Sequence, residues 1–300
     1  MARALPRIVV TPPITAAPRR SFLGDALRRF VARRLVLIGV ALVGILVLMG
    51  AFGRFFAPYS PIAQNFSDVL VAPSPRHWLG TDELGRDTLS RLLYGATISL
   101  QVGISAVLMA AIPGVVVGVI VAFRGGWLDN VVMRVLDGMM ALPSLILALT
   151  IVSVLGANLV NVILAIAVTS FPHYARIVRG QVLSVREYDY VLAIKSVGAP
   201  DRRIIFRHIV PNVISPVLVH GSLGVGVAIM AEAGLSFLGL GVQPPTPTWG
   251  SMIQVGFQYL ELAPWLVMAP GTVIFMAVLG FNLLGDGLRE ALDPHLRHQR

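Results

Sequence analysis

The chain has 300 residues, of which 56% are apolar and only 13% charged, and its mean hydropathy is +0.78. Soluble domains carry about 25% charged residues, so an ordinary soluble globule is excluded. Twenty-four Lys and Arg against 15 Asp and Glu give a net charge of +9, and the lack of cysteine excludes disulfides, thiolate metal sites and Cys nucleophiles.

Charge is gathered between long uncharged stretches at 35–53, 92–123, 138–175, 208–231 and 262–285, which are 19, 32, 38, 24 and 24 residues long. About 20 residues at 1.5 Å each cross the hydrocarbon layer of a bilayer. The longest stretch therefore holds two spans, turned at Gly156-Ala157-Asn158. The result is an all-α integral membrane protein with six transmembrane helices, at 34–56, 93–123, 131–155, 158–178, 212–236 and 264–286. Backbone groups cannot go unpaired in lipid, and the runs are continuous rather than alternating, which selects helices over barrel strands. A seventh stretch, 233–260, is interrupted by Pro244, Pro245 and Pro247 beside Trp249-Gly250.

With both termini cytoplasmic, twenty of the 24 basic residues lie inside, and Arg54, Arg76, Arg86 and Arg91 lie outside. The basic balance then serves anionic headgroups of the membrane lipid, and no nucleic-acid partner is expected. Residues 1–33 read as a cytoplasmic tail leading into a basic helix at 21–34, and 287–300 as a second cytoplasmic tail. The first apolar stretch exceeds the 7–15 residues of a cleaved signal, so it is expected to remain as a span. There is no phosphate-binding loop, HExxH, GxSxG or dinucleotide fingerprint. The six histidines lack ligand spacing with carboxylates. Neither catalysis nor a metal site is expected.

Proline falls in or beside five spans, at Pro113, Pro143, Pro172, Pro216 and Pro270. Each is either a packing kink or a bend in a helix lining a pathway. Gly114 and Gly118 form a small-xxx-small face for close helix packing, and Gly221, Gly224 and Gly226 a second such surface. Arg134 and Asp137, three apart, are expected to pair. Glu232, near the outer end of span five, is either a pathway or outer-gate group, together with Ser236, or a snorkelling or hydrogen-bonded structural carboxylate.

The cytoplasmic segment 176–211 is charged yet patterned. In its first helix Tyr190, Val191, Ile194 and Val197 fall on one stripe, with Glu187, Asp189 and Lys195 in water. Gly198 can take the left-handed conformation that closes a helix. Pro200 suits the first position of the next helix and Asp201 its N-terminal dipole, and Pro211 is expected to end that helix at the membrane. Such a knob suits a partner's groove; the alternative is a helix lying on lipid.

The run Tyr190-Val191-Leu192-Ala193-Ile194-Lys195-Ser196-Val197-Gly198, followed by Arg207-His208-Ile209-Val210-Pro211-Asn212, resembles the coupling motif of ATP-binding-cassette importer permeases. The spacing Ala193 to Gly198 to Pro211 matches the motif EAA-x3-G-x9-I-x-L-P, while Leu192 replaces its Glu, Ile194 its second Ala, His208 its Ile and Val210 its Leu. Segments 78–96, 235–250 and 281–294 are similar to C-type permeases of dipeptide and oligopeptide importers. The resemblance implies a half-channel in a bacterial inner membrane, paired with a homologous B-type permease. Two ATPase subunits, which hold ATP and Mg, would dock on the coupling loop 179–211, through Tyr190, Val191, Leu192, Ala193, Ile194, Gly198, Ala199 and Pro211. An extracytoplasmic binding protein would deliver peptide to the outer segments 57–92 and 239–262. The permease domain is then 34–286, with no cofactor of its own. The competing reading is a self-sufficient secondary transporter with Glu232 as an ion or proton relay.

Overall fold

The computed structural model describes residue 30 and residues 33–292, so most of the basic helix expected at 21–34 and of the tail 287–300 lies outside the described residues. In chain order the helices are α1 (Arg34–Phe56), α2 (Thr88–Arg124), α3 (Gly126–Ala141), α4 (Ser144–Leu155), α5 (Leu159–Val185), α6 (Asp189–Ser196), α7 (Asp201–Phe237), α8 (Trp249–Gln258) and α9 (Trp265–Leu292). Among the described residues, α1, α2, α5, α7 and α9 are each long and apolar enough to cross a membrane; α3 and α4 together make a sixth, broken candidate.

That break falls within the span expected at 131–155, at Pro143, one of the five prolines expected to kink or bend a helix. The helices α3 and α4 meet at 92°. Pro143 disfavours helical backbone at the residue before it, and Leu142 is extended at φ −86°, ψ 137°. Pro113, Pro172, Pro216 and Pro270, in contrast, lie inside continuous helices.

A correction concerns Pro211, which does not end a separate cytoplasmic helix. The chain runs on from Asp201 into span five through a π-helical turn at Ile205–Ile209, closed by Val210 N–H on the Ile205 carbonyl. Proline has no N–H for the carbonyl four residues back and its ring crowds that oxygen. The wider turn accommodates both effects, so α7 is continuous from Asp201 into span five.

The centre of the bundle is α2, packed along α5, α7 and α1. The seam with α5 is close because Gly114 and Gly118 face it. A Cβ on either would come within 2.6 Å of Tyr174 Cβ or the Ala175 carbonyl. Asp137 does not pair with Arg134. Its partner is Arg176 on α5, while Asp129 receives two bonds of 2.6 Å from Arg179. A neighbouring helix supplies the guanidinium groups, which spacing along α3 cannot reveal. Pro244, Pro245 and Pro247 lie in a loop after α7, and the chain re-enters the core at Trp249, which is fully buried and donates its indole N–H to the Leu92 carbonyl at 3.1 Å.

Candidate functional site

On the cytoplasmic side, α6 is held to the bundle by one small apolar core. Val191, Ile204 and Ile209 pack with Val119 and Ala122 of α2, and with Val178, Val182 and Val185 of α5. Arg186 also donates to the Ala122 carbonyl at 3.0 Å. Ile194 is half-buried beside this core, as is Ala199, whereas Ala193 and Pro211 are exposed. Tyr190 and Leu192 are 43% and 44% exposed, and Val197 is 83% exposed.

The expected four-residue stripe is therefore cut to Val191 and Ile194. Tyr190 lies beside Val191 on the two-turn helix and points away from the core, and Val197 is already past its end, with φ −86°, ψ 12°. Gly198 has φ +79°, the left-handed turn expected of it, and its N–H bonds to the Lys195 carbonyl. Pro200 caps the start of α7 rather than standing first within it. What the motif did not single out is Phe206, 67% exposed on the π-helical turn. It borders a recess of about 520 Å³ with Pro200, Arg202 and Arg203. Leu192, Val197 and Phe206 thus leave an apolar surface on the cytoplasmic knob.

On the opposite side, residues 57–87 form a cap centred on Asp82. Its carboxylate accepts the Leu84 and Arg86 backbone N–H groups and the Arg86 Nε–H, and Arg91 lies 3.3 Å away. Asp87 caps α2 by accepting from Ser90 at 2.7 Å and meets His77 Nδ1 at 2.9 Å. Glu83, Arg86 and Arg91 line a cavity of about 310 Å³, whose far wall includes Ser236, Gln243 and Gln254. Glu232 lies behind Ser236, fully buried, and accepts the Ser236 hydroxyl at 2.7 Å; its other oxygen has no partner among the described residues. The carboxylate therefore does not snorkel.

The profile of the binding-protein-dependent transport system inner membrane components matches residues 114–298, and that of the N-terminal transmembrane domain of oligopeptide transport permease C matches residues 21–73. The chain belongs to this permease family. It is 42% identical over 91% of its length to the dipeptide transport system permease protein DppC of Alkalihalophilus pseudofirmus, covering 90% of that protein. It is 40% identical to the glutathione transport system permease protein GsiD of Pectobacterium atrosepticum, over 90% of each chain. The inward-facing MetNI methionine ABC transporter has a chain of the same fold, with TM-score 0.54 and 17% identity over 67% of this chain and 96% of that one. The protein is thus a non-catalytic inner-membrane permease subunit of an ATP-binding-cassette importer, one that works with a binding protein and an ATPase. An ATP-driven family replaces the self-sufficient transporter weighed from the sequence.

In this permease residues 190–199 lie together on one knob, Pro211 stands farther along within α7, and Glu232 and Ser236 lie near the outer end of α7, so these groups do not form a single site. Glu83 adds a testable charge. Burial, followed by the Asp82 carboxylate, pushes its carboxyl above the ordinary 4.5, against the pull of Arg86. The folded state therefore favours the protonated form, and this contribution to stability is lost as pH rises from 4.5 through the raised value. Glu83→Gln, neutral throughout, is expected to unfold at a higher temperature than the parent at pH 7. Thermal melts should show that difference disappear below about pH 4.5; a difference that is flat with pH would contradict the assignment.

Proposed function

We propose that this chain is the C-type translocation subunit of a di- or oligopeptide importer. It contributes half of the pathway, and a homologous B-type permease supplies the other half. Two ATPase subunits holding ATP and Mg dock on the cytoplasmic helices of the permease pair, and on this chain the docking surface is formed by Tyr190, Leu192, Ala193, Val197 and Phe206. The binding protein approaches the outer segments 57–92 and 239–262. The observation that carries this reading is the way α6 is mounted. Val191 locks it to the inner ends of α2, α5 and α7, while its outward face stays apolar and exposed. A knob so fixed transmits a push from a partner's groove into three helices at once, biasing a two-state bundle. Peptide as cargo is supported by the relatives, permeases of a dipeptide and a glutathione transport system.

The test is a gentle affinity purification of the tagged chain from its native membrane, with mass spectrometry and an ATPase assay on the eluate. A second permease and nucleotide-binding subunits are expected to co-elute with measurable ATP turnover. Elution alone, without turnover in several detergents, would refute the assembly. In vesicles loaded with ATP, uptake of di-alanine against glutathione then separates the two cargo classes.

A further inference from the structure

Polar residues occur on α5 at a depth where a membrane helix should meet lipid. With Leu159 at the outer boundary and about 1.5 Å per residue, His173 and Arg176 lie about 21 and about 26 Å along the helix, within a hydrocarbon layer about 30 Å thick. His173 is exposed on this chain. Arg176 pairs with Asp137 of α3, yet the two side chains remain 51% and 52% exposed. At the bilayer centre a charge facing lipid costs about 2.5–3.5 kcal/mol even on insertion scales, and these side chains lie between that centre and the inner boundary. A half-open ion pair there needs water or protein in front of it.

The neighbouring pair is built differently. Arg179 binds Asp129 through two bonds of 2.6 Å, and these side chains are only 32% and 11% exposed. That pair already fastens α3 to α5, so the Arg176–Asp137 pair is not needed as their tether. Its single contact runs from Arg176 Nη2 to Asp137 Oδ1, and among the described residues neither side chain makes another hydrogen bond. One carboxylate oxygen and several guanidinium N–H groups are left facing outward. On the adjoining helix α7, His220 lies edge-on to Tyr174 with ring centres 4.9 Å apart, bringing a further polar side chain to the same level.

We propose that Arg176, Asp137 and His173 form a polar station on the wall of the water-lined conduit, where they contact the charged ends of a passing peptide. This rests on the peptide-importer reading above. A zwitterionic peptide carries the two charges that the pair itself combines. Asp137 can accept its ammonium while Arg176 binds its carboxylate in a charge-assisted, two-pronged contact. Each side chain then exchanges one partner for another of the same sign, so no desolvated charge is left alone.

The chain's lack of cysteine makes the wall directly testable. In the assembled transporter in vesicles, His173→Cys is compared with Ile45→Cys, a position 48% exposed in the middle of the apolar α1. The probe is a small, charged, membrane-impermeant methanethiosulfonate, and labelling is read on this chain alone. His173→Cys is expected to react at least about tenfold faster, because a charged reagent partitions poorly into lipid; equal or slower labelling would overturn the proposal. Arg176→Gln is expected to cut di-alanine uptake about tenfold or more at unchanged recovery of the complex, the loss of one charge-assisted contact. Arg176→Lys, which keeps the charge, is expected to retain most of the uptake. Unchanged uptake in Arg176→Gln would overturn the peptide contact. Wild-type vesicles supplied with the binding protein that take up neither di-alanine nor a longer peptide would refute the cargo reading instead, and the labelling comparison would still decide whether this face meets water.

Discussion

Gly198→Val is expected to insert and assemble normally yet lose most ATP-driven uptake. Gly198 joins α6 to α7 at φ +79°, and a Cβ placed there meets nothing within 4 Å. Space is therefore available and conformation is the whole difficulty. Left-handed backbone costs an ordinary residue about 1–2 kcal/mol, and a β-branched one most of all. The strain is relieved by rotating α6 so that Val191 leaves its seat on Ile204 and Ile209, which misaligns the knob with its partner. A penalty of that size lowers the population of the coupled arrangement about tenfold. The measurement is uptake and ATP hydrolysis in the same vesicles. Hydrolysis that continues while uptake falls marks uncoupling, and unchanged uptake would show that the turn does not transmit motion. Gly198→Ala, strained but unbranched, should fall between the two.

Gly85→Ala is expected to act on the fold itself. Gly85 sits at φ +69° in the outer cap, and an added Cβ would lie 1.8 Å from the Asn65 carbonyl oxygen and 2.7 Å from its carbon. Backbone atoms cannot swing aside as a flexible side chain can. The segment 65–85 would have to open, breaking the Asn65 N–H bond to the Leu84 carbonyl. The adjoining Asp82 bonds to Leu84 and Arg86 would be strained with it. A destabilisation of about 3 kcal/mol or more follows from strain and clash together. It should be seen as low recovery from the membrane and a lowered melting temperature of the purified complex. A variant that melts like the parent would show that the cap has slack absent from this geometry.

These two glycines were not equally legible in the chain. Gly198 stands between a short amphipathic run and Pro200-Asp201, so its turn follows from neighbours along the chain. Gly85 lies in a loop, and its need for glycine arises from Asn65, twenty residues earlier, which only folding brings against it. The same division applies to the knob. Its position and closing turn were readable, but with two helical turns the pattern could not tell Tyr190 from Val191 as the buried member. That choice was made by Ile204 and Ile209 of the next helix and by the valines of α5.

Sequence alone determined the class, the approximate place of the membrane segments, and where a patterned, charged segment interrupts them. Hydropathy over some 20 residues and the positive-inside bias are properties of contiguous chain, and lipid leaves the backbone little choice but to be helical. Only the tertiary structure decided that span three turns through 92° at Leu142-Pro143, that Pro211 is absorbed into α7 by a π-helical turn, and that Asp137 answers to Arg176. It also decided that Glu232 is buried against Ser236 instead of reaching for the interface. Each of these depends on what a neighbouring helix presents at a few ångströms, through packing volume, a freed carbonyl or an opposite charge. Such information is absent from any single stretch of chain, because it arises only when distant stretches meet.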